Sequence, residues 1–245
     1  MDETRMRLLI AIKSCQRDKN TGCHQAIRET WGKNLPAGVD LLFFVGGETE
    51  PALEADERYV AVDDGYWTST PKMIAIVKYA VWKDYDFALL CDTDTYLDVP
   101  ALMRVGFENY DYSGVASGGR DGQGAMEWVW GKPYPPMHSD HEKILINPSY
   151  AYLSGGHGYI LSRQASKIVA AMKSPVKEGE DFMVGYVLGP FFASGELTAR
   201  AFTNYENVVA FHLGCGYYGS GNRIEGHRTD PASAVRRKHA ELGRS

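Results

Sequence analysis

The residues best suited to chemistry lie in the stretch DFALLCDTDTYLDVP, residues 86–100, as the pair Asp92 and Asp94. Two carboxylates this close repel unless a cation lies between them or one stays protonated. Hard oxygen ligands with few other donors suit Mg²⁺ or Mn²⁺, and such an ion suits a phosphate. A polar turn after a strand is the plainer account, since Asp and Thr are common there. A second acidic pair, Glu180-Asp181, stands before the apolar run FMVGYVLG. It reads as the opening of a helix, where a carboxylate gains from the dipole and Asp181 is equally well a cap. Lys72 falls in the first turn of another helix, where the dipole disfavours a cation; a bound anion explains it, and so does a solvated side chain. Arg28, close after the first strand, reaches either a phosphate or the surface, and position alone favours the surface. Gly155, Gly156 and Gly158 allow close backbone approach and positive φ, or simply form a tight turn.

These residues need a scaffold, and the apolar pattern supplies one. Phe87–Cys91 is apolar without a break, as expected of a strand buried on both faces in a parallel sheet. Period-two alternation then puts Asp92 and Asp94 on one side of the strand end, with Thr93 facing away. The carboxyl end of a central strand is where an open α/β sheet binds its ligand. Before it come a strand over 7–13, a polar loop over 14–22, a helix over 24–31 stopped by Gly32, and strands over 39–45 and 59–62. The helix over 68–83 has Met73, Ile74, Ile76, Val77, Ala80 and Val81 on one face and Pro71 in its first turn. Afterwards the pattern predicts a helix over 99–108, a strand over 112–116 and a helix over 163–172. A late hairpin follows from strands over 198–203 and 208–211, with His212 at its end. The tail, 230–245, is charged and reads as a surface helix or loose end. Alternating strands and helices argue for one layered sheet with helices on both faces. Segment 118–143 is long, rich in Gly, Pro and charge, and carries Trp128, Trp130 and Tyr134. Those aromatics face a sugar or peptide, or plug the domain's own surface.

A chain of 245 residues suits one α/β domain or two small ones. A formal net charge of −5 without a long basic run argues against a nucleic-acid partner. The four cysteines, Cys15, Cys23, Cys91 and Cys215, show no C-x-x-C spacing. Cys91 is expected as a buried thiol, and Cys15 and Cys23 as a pair that an oxidising compartment could join. No apolar run approaches the ~20 residues of a membrane span, and no signal peptide is evident.

Four stretches, in order, resemble the inverting β-1,3-glycosyltransferases, the group of β-1,3-galactosyltransferases, fringe and core-1 galactosyltransferase. They are LLIAIKS with the following AIRETWG (26–32), DTDTY (92–96), SGGHGYILS (154–162) and EDFMVG (180–185). The resemblance runs from about Arg7 to His212. The third stretch looks closer to fringe and core-1 enzymes. Two departures stand out: Thr68-Ser-Thr-Pro71 replaces the family's N-L-T before the helix lysine, and the Trp128 region has no family counterpart.

The resemblance implies a GT-A fold, a Rossmann-like, mostly parallel sheet flanked by helices and fused to an acceptor-binding half. On this reading residues 1–97 bind the nucleotide sugar, 98–229 the acceptor, and 230–245 form a tail. It implies a UDP-sugar donor and a divalent ion, Mn²⁺ or Mg²⁺, with Asp94 as ligand, Asp92 assisting and His212 as third ligand. It implies Asp181 as catalytic base, with Arg28, Lys72, Gly155 and Gly156 near the nucleotide. The expected activity is transfer of a hexose, galactose first, to a glycan or glycoconjugate hydroxyl in β-1,3-type linkage. An N-acetylglucosaminyltransferase of the same family and an inactive glycan-binding module are the alternatives. The expected setting is a soluble chain, either cytoplasmic or the catalytic domain of a Golgi-anchored protein.

Overall fold

Two unbroken apolar runs form the centre of the molecule. Strands β1 (Leu8–Cys15) and β4 (Phe87–Asp92) pair in parallel, Leu8 opposite Phe87 and Lys13 opposite Asp92. The computed structural model describes residues 5–64, 68–115, 152–172, 179–202, 209–213 and 230–244, His212 as backbone only. The aromatic segment 118–143 and Cys215 lie outside the described residues. Among the described residues the main sheet has the order β3-β2-β1-β4-β7-β6-β8. Its other members are β2 (Val39–Gly46), β3 (Glu57–Val60), β6 (Tyr112–Gly114), β7 (Tyr159–Ser162) and β8 (Ala199–Ala201). Only β7 runs against its neighbours β4 and β6; the other pairs are parallel. This is the mixed α/β, mostly parallel sheet flanked by helices that the apolar pattern predicts.

Alternation along β1 splits the core in two. Leu8, Ile10 and Ile12 pack with Ala26 and Ile27 of α2 (Cys23–Glu29) and Ala232 and Val235 of α7 (Pro231–Glu241). Leu9 and Ala11 pack on the other face. There they meet Met73, Ile76 and Val77 of α3 (Ser69–Trp82), Ala165 and Val169 of α5 (Arg163–Ala170), and Val184 and Leu188 of α6 (Glu180–Ala193). Each of the leucine, isoleucine, valine and methionine side chains, taken fully out of water, contributes about 1.5–3 kcal/mol. The acidic and glycine-rich segments are thereby held at the carboxyl end of β1 and β4, on the second face.

Three local expectations differ from the structure. The loop over 14–22 contains a short helix, α1 (Gln16–Asn20). The helix expected over 99–108 is only α4 (Val99–Leu102), capped by Asp98, whose Oδ1 accepts from the Ala101 N–H at 3.0 Å. Gly106, at φ 76°, breaks it before a single tighter turn, Phe107–Asn109. The late hairpin does not form. β8 adds to β6 in parallel, whereas β9 (Ala210–His212) pairs antiparallel with β5 (Thr95–Leu97) in a separate two-stranded sheet. A short strand's sequence does not name its partner, because pairing depends on the edges that tertiary packing leaves open. The tail is α7, with a buried face and Asp230 accepting from the Ala232 and Ser233 N–H groups. Cys91 is buried as expected, and Cys15 and Cys23 are free thiols.

One buried carboxylate ties α1 and α2 to the sheet. Glu57, at the start of β3, accepts from Lys19, from the Glu54 N–H at 3.0 Å, from His24 Nδ1 at 2.7 Å and from Arg28 at 3.0 Å. Burial holds His24 below its usual pKa, against the pull of Glu57, so the ring is neutral and Nε2 accepts from Ser14 Oγ at 2.6 Å. Burial alone would raise the Glu57 carboxyl, but its donors outweigh that and hold it at about 2. A depressed carboxylate stabilises the fold above its unfolded pKa and loses that contribution as pH falls through its folded value. Urea unfolding of the protein and Glu57→Gln at pH 7 should therefore differ by ~3 kcal/mol in favour of Glu57, narrowing between about pH 4.5 and 2. A difference that stays constant with pH would refute this account.

Candidate active site

Lys13 lies near the end of β1 on the face that carries Leu9 and Ala11, and its side chain is only 8% exposed. Its Nζ lies 3.1 Å from Asp92 Oδ1 and donates to Glu180 Oε1. Burial alone would lower the ammonium pKa, but Asp92, Glu180 and Asp181 outweigh it and raise it, so Lys13 stays charged. Sequence reasoning passed over this residue. The signal was there: it is the one charged position in LLIAIK, at the same strand end as Asp92.

Glu180 and Asp181 open α6, as expected. Asp181 Oδ2 accepts from the Gly155 N–H at 3.1 Å, and Oδ1 from the Phe182 N–H at 2.8 Å. Burial, then the neighbouring Glu180, pushes the Asp181 carboxyl up to about 6, against the pull of Gly155 and Lys13. A carboxyl poised there can hold and release a proton near neutral pH. Gly155 is required by space. A Cβ on it would come 2.5 Å from Glu180 Oε1 and 3.3 Å from both Lys13 Nζ and Asp181 Cβ. The next residue turns to the other acidic motif: the Gly156 carbonyl accepts from Thr95 Oγ1 at 2.8 Å, which in turn accepts from the Asp92 N–H at 3.2 Å. The structure thus brings Asp92, Gly155, Gly156, Glu180 and Asp181 together.

The surroundings of Asp94 differ from the sequence picture. β4 ends at Asp92, and Thr93 and Asp94 form a turn before β5, so strand alternation does not extend to Asp94. Thr93 Oγ1 donates to Asp18 of α1 at 2.7 Å. Asp94 is buried, and its carbonyl accepts from the Leu213 N–H at 3.0 Å. Opposite Thr95 in the β5–β9 pair stands His212. Its backbone is therefore beside Asp94, while its side chain lies outside the described residues. Among the described residues no three His, Cys, Asp or Glu side chains form a metal cage. The residue types, two aspartates and a histidine whose backbone lies beside them, suit a divalent ion such as Mn²⁺.

Lys72 is not solvated. Its side chain is 9% exposed, and Nζ donates to the Ser14 carbonyl at 2.5 Å and lies 3.6 Å from Asp64 Oδ1. It sits against Gly46, where a Cβ would come 2.7 Å from Nζ, so it occupies the carboxyl ends of β1 and β2. Arg28 is turned elsewhere. It grips Asp56 with two hydrogen bonds, 2.8 and 2.7 Å, and also meets Glu57 and Glu54. A phosphate at Arg28 would compete with three carboxylates.

The family model described as Galactosyltransferase matches residues 23–191, more than half of the chain. The match includes Arg28, Lys72, Asp92, Asp94, Gly155, Gly156 and Asp181 and ends before His212. No curated protein matches at a significant level. Among solved structures, the chain is similar to a glycosyltransferase involved in the glycosylation of the major capsid of PBCV-1. That match has 13% identity and a TM-score of 0.46, over 96% of this chain and 99% of the other. It is also similar to the apo WbbM bifunctional glycosyltransferase, with 11% identity and a TM-score of 0.40, over 83% of this chain and 39% of the other. Neither similarity is close enough to transfer an activity.

The charge balance of this cluster can be read directly. In carbon-13 NMR the Asp181 carboxyl should titrate near pH 6. Lys13→Met removes the nearest ammonium and should move that midpoint upward. A midpoint in the ordinary carboxylate range, or one that Lys13→Met leaves in place, would refute the electrostatic picture.

Proposed function

The chain belongs to the galactosyltransferase family, and we propose that it is a metal-dependent, inverting hexosyltransferase using a UDP-sugar. The observation that supports this most is the meeting of both acidic motifs at the carboxyl end of β1 and β4, joined by Lys13 and the Gly155-Gly156 turn. A poised carboxylate can take the proton of an attacking hydroxyl, which direct displacement at a sugar carbon needs. In this reading Asp92 and Asp94, with His212, hold Mn²⁺ or Mg²⁺. Bound there, the ion supplies charge neutralisation for the departing diphosphate.

The chain's own residues do the rest. Asp181 accepts the proton of the acceptor hydroxyl as its oxygen bonds to the anomeric carbon. The bond from that carbon to the phosphate oxygen breaks with its electron pair, and UDP leaves. One displacement on an α-linked donor gives a β-linkage, and no covalent enzyme intermediate is needed. Gly155 keeps the Asp181 carboxylate aimed through its N–H, and Lys13 keeps Asp92 and Glu180 from repelling one another. Lys72 lies at the ends of β1 and β2 and serves the nucleotide side. Galactose is the proposed donor sugar, and a glycan or glycoconjugate hydroxyl the acceptor, with a β-1,3-type linkage.

Calorimetric titration of UDP tests the donor site first. Binding should require Mn²⁺ and vanish in EDTA, and Asp94→Ala should lose the metal-dependent part. A folded sample that binds UDP under neither condition would overturn the nucleotide-sugar reading. Asp181→Asn should keep UDP binding while transfer from UDP-galactose falls by ~10²-fold or more. Near-normal turnover in that variant would remove Asp181 as the base.

A further inference from the structure

The C-terminal helix lies outside the matched family region, which ends at residue 191, yet it grips the strand pair next to Asp94. That pair, β5 with β9, has three residues per strand and stands apart from the main sheet. A two-stranded ribbon so short does not hold itself in water. Something outside it must set its geometry, and α7 is placed to do so.

The helix reaches both strands. Ala232 and Val235 are buried in the same cluster as Tyr96, Leu97, Val209 and Ala210. On β5, Tyr96 Oη and His239 Nδ1 lie 2.8 Å apart. Just after β5, Asp98 is ion-paired with Arg244 and sends its own N–H to the Val209 carbonyl at 2.7 Å. On β9, Lys238 Nζ stands 4.2 Å over the Phe211 ring, and that ring meets Tyr96 edge-on at 6.2 Å. The far side of the helix is fastened to α2 by Arg236, which donates to Glu29 at 3.0 and 2.8 Å. One helix therefore spans β5, β9 and the main body, and the ribbon it steadies has Asp94 just before β5 and the His212 backbone at the end of β9.

We infer that α7 is a clamp that sets the spacing of Asp94 and His212, with His239 and Arg244 as positioning residues for the divalent ion. The inference rests on the metal-site reading proposed above. Ligands from two separate strands must sit within a few tenths of an ångström of their working positions to bind an ion well. Residues that fix the strands therefore act on metal affinity without touching the metal.

The test uses the full chain with the double substitution His239→Ala/Arg244→Ala, and His239→Asn/Arg244→Lys as its conservative counterpart. Two readouts are taken. Hydrogen exchange should rise about fivefold at residues 95–98 and 210–212 in the alanine variant, with β1 and β4 unchanged. The Mn²⁺ concentration giving half-maximal UDP binding should rise about fivefold, while binding at saturating Mn²⁺ stays as in the parent. The Asn/Lys variant should restore both. Unchanged exchange in the ribbon would overturn the clamp. Faster exchange with an unchanged Mn²⁺ requirement would overturn the positioning role and leave α7 as plain packing. If the parent protein shows no Mn²⁺-dependent UDP binding at all, the metal-site reading falls and takes the positioning role with it. The exchange readout still decides whether α7 clamps the ribbon.

Discussion

The site depends on one buried ammonium. Three carboxylates, Asp92, Glu180 and Asp181, converge where β1 and β4 end and α6 begins, and without a cation among them their repulsion would push the elements apart. Lys13 sits at that junction. Taking its charge out of water costs several kcal/mol, and the surrounding carboxylates offset it. Removing either side would leave the other buried and uncompensated, so the pairing fixes how α6 docks on the sheet as well as the local charge. Its incomplete neutralisation is useful too: Asp181 is left holding its proton near pH 6 rather than near pH 4. On the proposed reading of Asp181 as the base this suits its role, since a base is most effective when its pKa lies close to the working pH.

The glycine turn converts that charge balance into a shape. Gly155 lets the backbone come within hydrogen-bonding distance of Asp181 while Glu180 and Lys13 occupy the space a side chain would need. Gly156 then links the same turn to Thr95 and through it to the Asp92 amide. Two motifs about ninety residues apart in the chain are thus held by one three-residue bridge. Beyond it, β5 departs from the main sheet, and the Asp94 side of the site is built on a small ribbon backed by the C-terminal helix. One part of the proposed site is thus built on the large sheet, and the other, if α7 clamps the ribbon as inferred, takes its order from that helix.

Much of this was legible in the sequence because it follows from local pattern. Unbroken apolar runs at Leu8–Ile12 and Phe87–Cys91 read as buried strands, and the 3.6-residue stripe from Met73 to Val81 as a packed helix. Family motifs in order identified the acidic pairs and the glycine turn, and the family match over 23–191 agrees with that resemblance. Asp92, Asp181, Gly155 and Gly156 did come together.

What the sequence could not determine is what depends on partners far along the chain. Lys72 read equally as an anion's partner or as a solvated side chain, because a helix's first turn says nothing of the Ser14 carbonyl and Asp64 that meet it there. Arg28 is claimed by Asp56 and Glu57, acids on a different element that only the β2–β3 pairing brings alongside α2. The strands near 199 and 210 looked like a hairpin by proximity, yet each found a different edge, since backbone groups at an edge accept whichever strand packing delivers. The contacts of the tail helix with β5 and β9 depend on equally distant partners. Residue types and their periodicity determine which elements form and which faces are apolar. Which charges end up sharing a buried space is decided by tertiary structure, because electrostatic partners are set by distance in the fold and not by distance along the chain.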